Sequence, residues 1–230
     1  MTLRRFLSLL FLCLVLCLAM LLGAGCVGGP PPTPVERGEA ALASGDWRSA
    51  KSYFAEALKA DSRLGRAWLG QARALLAGRD PEGTLQSLSR LSEVDRAMFV
   101  RDARSIYAEG LDAAARRRLL RQQNEAALVA VRALAKLEPA RRGLDRLLGR
   151  ALIEEAARQR WRGDPKTALE LYREACKVVP NSLDAWLGAA EILLESGQGK
   201  EAIRLLETAR KNHPTASQIR ILTIQALALR

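Results

Sequence analysis

A single histidine, His213, stands in the 230-residue chain, which leaves no second imidazole for a catalytic pair or a multi-histidine metal site. It precedes Pro214 and so falls in a helix-ending loop. Aromatic residues make up only 5% of the sequence, too few for a β-rich core built on aromatic and β-branched pairs. Cysteine is scarce where it would matter. Cys13 and Cys17 lie inside an N-terminal apolar run, Cys26 closes it, and Cys176 alone falls in the remainder. That remainder therefore has no intramolecular disulfide and no CxxC or zinc-type spacing. Cys176 follows the small residue Ala175 and reads as a core side chain. The adjacent acids Glu154 and Glu155 leave a helix in different directions and read as surface residues, not as paired catalytic carboxylates. Together these gaps argue against an enzyme and call for no metal and no cofactor.

Ala, Leu, Arg and Glu dominate, all good helix formers, and the expected class is all-α. The formal net charge is +11, from 36 basic and 25 acidic residues. Arg4 and Arg5 are the only charges in the first 25 positions, ahead of an apolar stretch from Phe6 to Leu22 and the small residues Gly23, Ala24 and Gly25. This is the layout of an export signal over residues 1–25. Residues 26–34, rich in Gly and Pro, read as an extended spacer holding a folded domain off a surface. Gly23, Gly25 and Gly28 match a dinucleotide fingerprint by letter, but that motif has meaning only between a strand and a helix.

The segment Leu22-Gly23-Ala24-Gly25-Cys26 resembles a bacterial lipoprotein signal, with Leu22 one place further from the cysteine than is usual. The resemblance implies lipidation of Cys26 as the mature N-terminus. Val27, rather than Asp, follows it and leans toward the periplasmic face of the outer membrane. The apolar run is also close to the roughly 20 residues that span a bilayer, so a retained transmembrane anchor stands as a second reading, with an ordinary cleaved signal as a third. All three export the chain, which makes nucleic acid an improbable partner on compartment grounds.

Residues 35–230 carry internal repeats. Ala67-Trp68-Leu69-Gly70 with Leu75-Leu76 returns as Ala185-Trp186-Leu187-Gly188 with Leu193-Leu194, and Ala168, Ala175 and Pro180 return 34 positions later as Ala202, Ala209 and Pro214. Gly45-Asp46-Trp47, with Ala50, Phe54 and Ala57, fits the same scheme. A period of 34 with small and large apolar residues at fixed places resembles the tetratricopeptide repeat family. The resemblance implies a right-handed superhelix of about five helix-turn-helix units, near residues 35–64, 65–98, 99–141, 149–182 and 183–216, followed by a capping helix at 217–230. Gly45, Gly163 and Gly197 are expected to take the left-handed conformation that ends each first helix. The second unit has Thr84, Leu88 and Leu91 at the repeat's fixed positions. The third, with Ala127, Val131 and Leu134, reads as out of phase, and the helices around 97–122 and 141–162 as extended or kinked. The capping helix is apolar, with Ile219, Ile221, Leu222, Ile224, Leu227 and Leu229, and suits a partner or a second copy of the chain.

In this family the first helices line a concave, peptide-binding groove. Residue by residue, the resemblance places Arg66, Leu69, Arg73 and Leu76 there from the second unit, Arg150, Ile153, Ala157 and Arg160 from the fourth, and Asp184, Leu187, Glu191 and Leu194 from the fifth. It implies a protein-interaction scaffold of the cell envelope, similar to pilotins or to components of outer-membrane protein assembly. Residues 101–165 hold 15 basic and 9 acidic side chains. Arg116, Arg117, Arg118 and Arg121, with Arg141 and Arg142, form the densest clusters. They read either as a solvated face answered by its own acids or as a patch for anionic head groups and other envelope polyanions.

Overall fold

The computed structural model of the protein describes residues 31–229; the apolar N-terminal run, Cys26 and most of the spacer lie outside them. The described residues form twelve α-helices and no strand. In chain order these are α1 (Pro34–Ala43), α2 (Trp47–Ala60), α3 (Gly65–Ala77), α4 (Pro81–Val94), α5 (Arg96–Asp102), α6 (Arg104–Leu120), α7 (Asn124–Leu137), α8 (Leu144–Trp161), α9 (Pro165–Val178), α10 (Leu183–Glu195), α11 (Gly199–Asn212) and α12 (Ser217–Ala228). None of them is long and apolar enough to cross a membrane.

Helices α2, α4, α7, α9 and α11 share one pattern. Each is 14 residues long. The fourth residue is small and buried in every case: Ala50, Thr84, Ala127, Ala168 and Ala202. The eighth is larger and also buried: Phe54, Leu88, Val131, Tyr172 and Leu206. The eleventh closes the stripe with Ala57, Leu91, Leu134, Ala175 and Ala209. This i, i+4, i+7 spacing puts all three on one face, where the small side chain admits a neighbouring helix and the large one fills the space beside it. The third unit, read from the sequence as out of phase, thus keeps full register in α7. Its irregularity lies in the preceding and following helices: α6 and α8 run to 17 and 18 residues against 13 in α3 and α10. The seven-residue α5 is interposed between α4 and α6. Helix α8 begins at Leu144 rather than near 149, extending its unit by more than a turn.

Each 14-residue helix packs against the helix before it and the next helix of the other series. Helices α1, α3, α6, α8, α10 and α12 also touch the next member of their own series, whereas the 14-residue helices make no comparable contact with one another. The first series is therefore the shorter, inner side of a curved α-solenoid, and its exposed face is concave.

The turns between paired helices need a left-handed residue. Gly45, Gly163 and Gly197 supply it, at φ of 81°, 84° and 71°. Arg79 and Gln122, both at φ 58°, occupy the same place in the second and third units. Neighbouring units are locked by a contact between a glycine and a ring. A Cβ on Gly70 would lie 2.3 Å from Phe54 Cζ, and one on Gly188 would lie 2.4 Å from Tyr172 Cζ. Each glycine sits 16 residues after its ring, in the first helix of the next unit, so the repeated Trp-Leu-Gly motif is the seat for the preceding aromatic. Trp68 and Trp186 donate their indole N–H groups to Ser62 and Pro180 carbonyls, both at 2.8 Å, fixing equivalent loops.

Candidate partner-binding groove

The concave face divides into three stretches by charge. Near the N-terminal end, Arg66, Leu69 and Arg73 of α3 line one recess with Glu39 of α1 and Arg101 and Asp102 of α5. Its floor is apolar, since Leu69 is buried. Arg66 donates to both carboxylate oxygens of Glu39 at 3.0 Å, and Arg101 to both of Asp102 at 2.9 and 2.8 Å. Much of the charge here is answered from within the chain.

Toward the C-terminal end, Arg160 of α8 donates to Glu191 and Glu195 of α10. Burial works against the Arg160 charge, and the bonds it donates to Glu195 and Glu191 outweigh it, holding the guanidinium above the ordinary arginine pKa. Two residues placed in the groove from the sequence, Arg160 and Glu191, therefore meet each other. Leu187, one turn before Glu191 on α10, is half-buried against the core. Ala157 is exposed, and Leu194 is half-buried.

The middle stretch differs. Arg116, Leu119 and Leu120 at the end of α6 meet Arg142, in the turn before α8, and Arg146, Leu147 and Arg150, in its first two turns, around a recess of about 720 Å³. Leu119 and Leu147 are buried and form the floor, while Leu120 stands 78% exposed at the rim. Arg116 bonds Asp112 at 3.1 Å, and Arg150 approaches Glu154 only to 3.9 Å. Arg142 and Arg146 have no carboxylate partner among the described residues. Arg146 and Arg150 also line an adjoining recess of about 510 Å³ with Ile153, Val179 and Asp184. Three residues assigned to the groove, Arg150, Ile153 and Asp184, are thus brought together, and Arg146 joins them without having been singled out in the sequence.

The dense arginine clusters do not form one patch. Successive residues on a helix turn by about 100°, so Arg116, Arg117 and Arg118 face three ways. Arg116 enters the concave recess. Arg117 faces Asp80 at 3.7 Å, and Arg118 grips both oxygens of Glu82 on α4 at 2.9 and 2.6 Å and donates to the Ala126 carbonyl. Arg121 lies with Arg118, Glu82 and Val129 on the other side of the stack. Arg141 turns away from Arg142 and bonds Glu138 at 2.8 Å, a contact that, with nearby Asp112 and against burial, raises its pKa.

Other expected residues fall out as follows. Glu154 is exposed, but Glu155 is 3% exposed rather than on the surface, held by Arg158 at 2.9 Å and by Gln159. The helix turns it inward, and the arginine that follows three residues later satisfies it. Cys176 is buried, and that burial pushes its thiol up to about 12. Helix α12 buries Ile219 and Ala226 and exposes Ile221, Ile224 and Leu227, with Leu229 exposed just past its end. Cys26 lies outside the described residues.

The tetratricopeptide repeat family matches residues 35–91 and residues 162–227. Among solved structures, a TPR repeats protein from Bacteroides fragilis NCTC 9343 is similar at 14% identity and a TM-score of 0.56, over 87% of this chain and 99% of that one. YrrB, a TPR protein with an unusual peptide-binding site, is 14% identical over 85% of this chain and 90% of its own, with a TM-score of 0.40. The TPR2AB domain of yeast Sti1, solved in a pHSP90 complex, is 16% identical over 84% of each chain, with a TM-score of 0.37. No curated protein matches the chain. The first of these structures supports the fold alone.

Proposed function

Since the chain carries tetratricopeptide repeats over residues 35–91 and 162–227, with a helix of the same register in α7 between them, we propose that it is a non-enzymatic scaffold that holds an extended or helical segment of a partner protein along its concave face. The observation that carries this reading is the run of solvent-open recesses on α3, α6, α8 and α10, apolar at the floor and charged at the rim. That lining suits main chain and side chains of a bound peptide. A photoreactive residue in place of Ile153 or Leu187 should crosslink the partner in cells, and one in place of Val129, 64% exposed on α7, should not. Crosslinks from Val129 with silence at Ile153 and Leu187 would remove the concave face from the account.

The same proposal places the scaffold in the bacterial envelope, lipidated at Cys26 and facing the periplasm from the outer membrane, where it supports assembly of a pilus, secretion or outer-membrane complex. Arg4 and Arg5, the apolar run, the small residues before Cys26 and the proline spacer support it. Cys26→Ser should move the protein from the membrane to the soluble fraction. Unchanged membrane association would favour a retained transmembrane anchor instead. The exposed Ile221, Ile224 and Leu227 on α12 offer a second contact surface for another copy of the chain; Ile224→Glu should lower the mass seen by sedimentation if copies meet there.

A rival reading, binding of envelope polyanions or anionic membrane by the central arginines, rests on Arg142 and Arg146, which lack carboxylate partners among the described residues. Geometry disfavours a flat surface as their ligand. Arg146 stands on an inner-series helix and Arg142 in the turn just before it, and both line the recess that opens on the concave side.

A further inference from the structure

We propose that the middle of the concave face selects an acidic segment bearing an apolar side chain, with its carboxylates on Arg116, Arg142, Arg146 and Arg150 and its apolar group against Leu120 and Leu147. This rests on the reading of the concave face as a peptide groove and names the chemistry of the peptide.

Charge complementarity carries the inference. In the outer stretches of the groove, Arg66 bonds Glu39, Arg101 bonds Asp102 and Arg160 bonds Glu191 and Glu195, which leaves Arg73 as the one groove arginine there without a carboxylate bond among the described residues. In the middle, four arginines share one recess, and the acids in reach are Asp112, which also faces Arg141 at 3.7 Å, Glu154 at 3.9 Å from Arg150, and Asp184, which lines the adjoining recess without an ion pair to Arg146 or Arg150. The unanswered charge is positive, and a guanidinium binds a carboxylate through two parallel hydrogen bonds. The recess is not purely ionic. Leu120 projects into solvent beside the arginines over the buried Leu119 and Leu147, so a wholly polar ligand would leave apolar surface wet. Two adjoining recesses of about 720 and 510 Å³, sharing Arg146 and Arg150, give room for several residues of an extended chain.

The probe is a fluorescein-labelled, capped peptide of sequence Glu-Leu-Glu-Glu-Leu-Glu, followed by anisotropy against the full chain, beside the same peptide with Gln for every Glu and vesicles of anionic phosphatidylglycerol. The acidic peptide should bind, weaken steeply with added salt, and lose about tenfold or more in affinity with Arg142→Gln, Arg146→Gln and Arg150→Gln combined. Arg210→Gln, exposed on the outer helix α11, should leave its binding unchanged. Because the triple change alters several charges at once, Leu120→Asp provides a second variant that adds a negative charge at an exposed rim position, and it should weaken the acidic peptide likewise. Equal binding of the Gln peptide, with Ile153 still crosslinking a partner, would overturn the acidic selectivity and leave the groove reading intact. No peptide bound and silence at Ile153 would end both. Vesicle binding that depends on these arginines, without peptide binding, would overturn the inference in favour of a lipid surface.

Discussion

At the scale of single residues, the contact of glycine with ring is the tightest constraint in the stack. A methyl group on Gly188 or Gly70 would meet a buried aromatic ring at 2.4 or 2.3 Å, and neither ring has open space to retreat into. Overpacking of this kind costs about 1–3 kcal/mol, so Gly188→Ala and Gly70→Ala should each lower the thermal midpoint, as calorimetry would record. Arg79 and Gln122 lie in the opposite situation, at φ 58° where a side chain is strained. Arg79→Gly and Gln122→Gly should be neutral to stabilising by at most about 1 kcal/mol, because relief of strain is partly offset by the greater freedom of the unfolded glycine; an urea midpoint that falls would contradict this. Cys176, with its thiol pushed up to about 12 by burial, should resist iodoacetamide at pH 8 while folded and react once unfolded. The measurement needs the other thiols removed by Cys13→Ser, Cys17→Ser and Cys26→Ser.

At the scale of elements, capping ties stability to pH. Asp46 and Asp164 accept the Ser49 and Thr167 backbone N–H groups at 3.1 and 3.0 Å at the starts of α2 and α9, and hydrogen bonding from those residues holds both carboxyls below their usual pKa. A carboxyl lowered in the folded state stabilises above the unfolded value of about 3.9, and that stabilisation is lost as pH falls through the folded pKa. The thermal midpoint should therefore drop in that acid window, and Asp164→Asn, which keeps an acceptor without a charge, should flatten part of the drop. The five 14-residue helices were legible in the sequence because their register is set by local side-chain size: Ala168, Tyr172 and Ala175 announce a face wherever they occur. The lengthening around α6 and α8 was legible as helices near 97–122 and 141–162 that read as extended or kinked. What nothing local announced was the break after Asp102 that makes α5 a helix of its own. The composition of the central recess was hidden for another reason. Arg116, Arg142, Arg146 and Arg150 come from two helices and the turn before the second, and which arginines remain free depends on where Asp80, Glu82 and Glu138 fall in space. The helical turn per residue was signal enough to separate Arg116 from Arg117 and Arg118.

At the scale of the molecule, stacking gives the chain its function. Each unit buries its stripe only against its neighbours, so the fold grows as a curved array and places side chains from distant parts of the sequence along one inner surface. Curvature arises because the first-series helices touch one another and the 14-residue helices do not. The consequence is a face whose ends are largely answered by internal ion pairs and whose middle is left cationic over leucine. A methyl-resolved NMR titration with the acidic peptide tests this most directly. The account predicts that the signals of Leu120, Leu147 and Ile153 shift together and saturate while Val129 on α7 stays still; movement of Val129 with the three concave-face signals unchanged would contradict it.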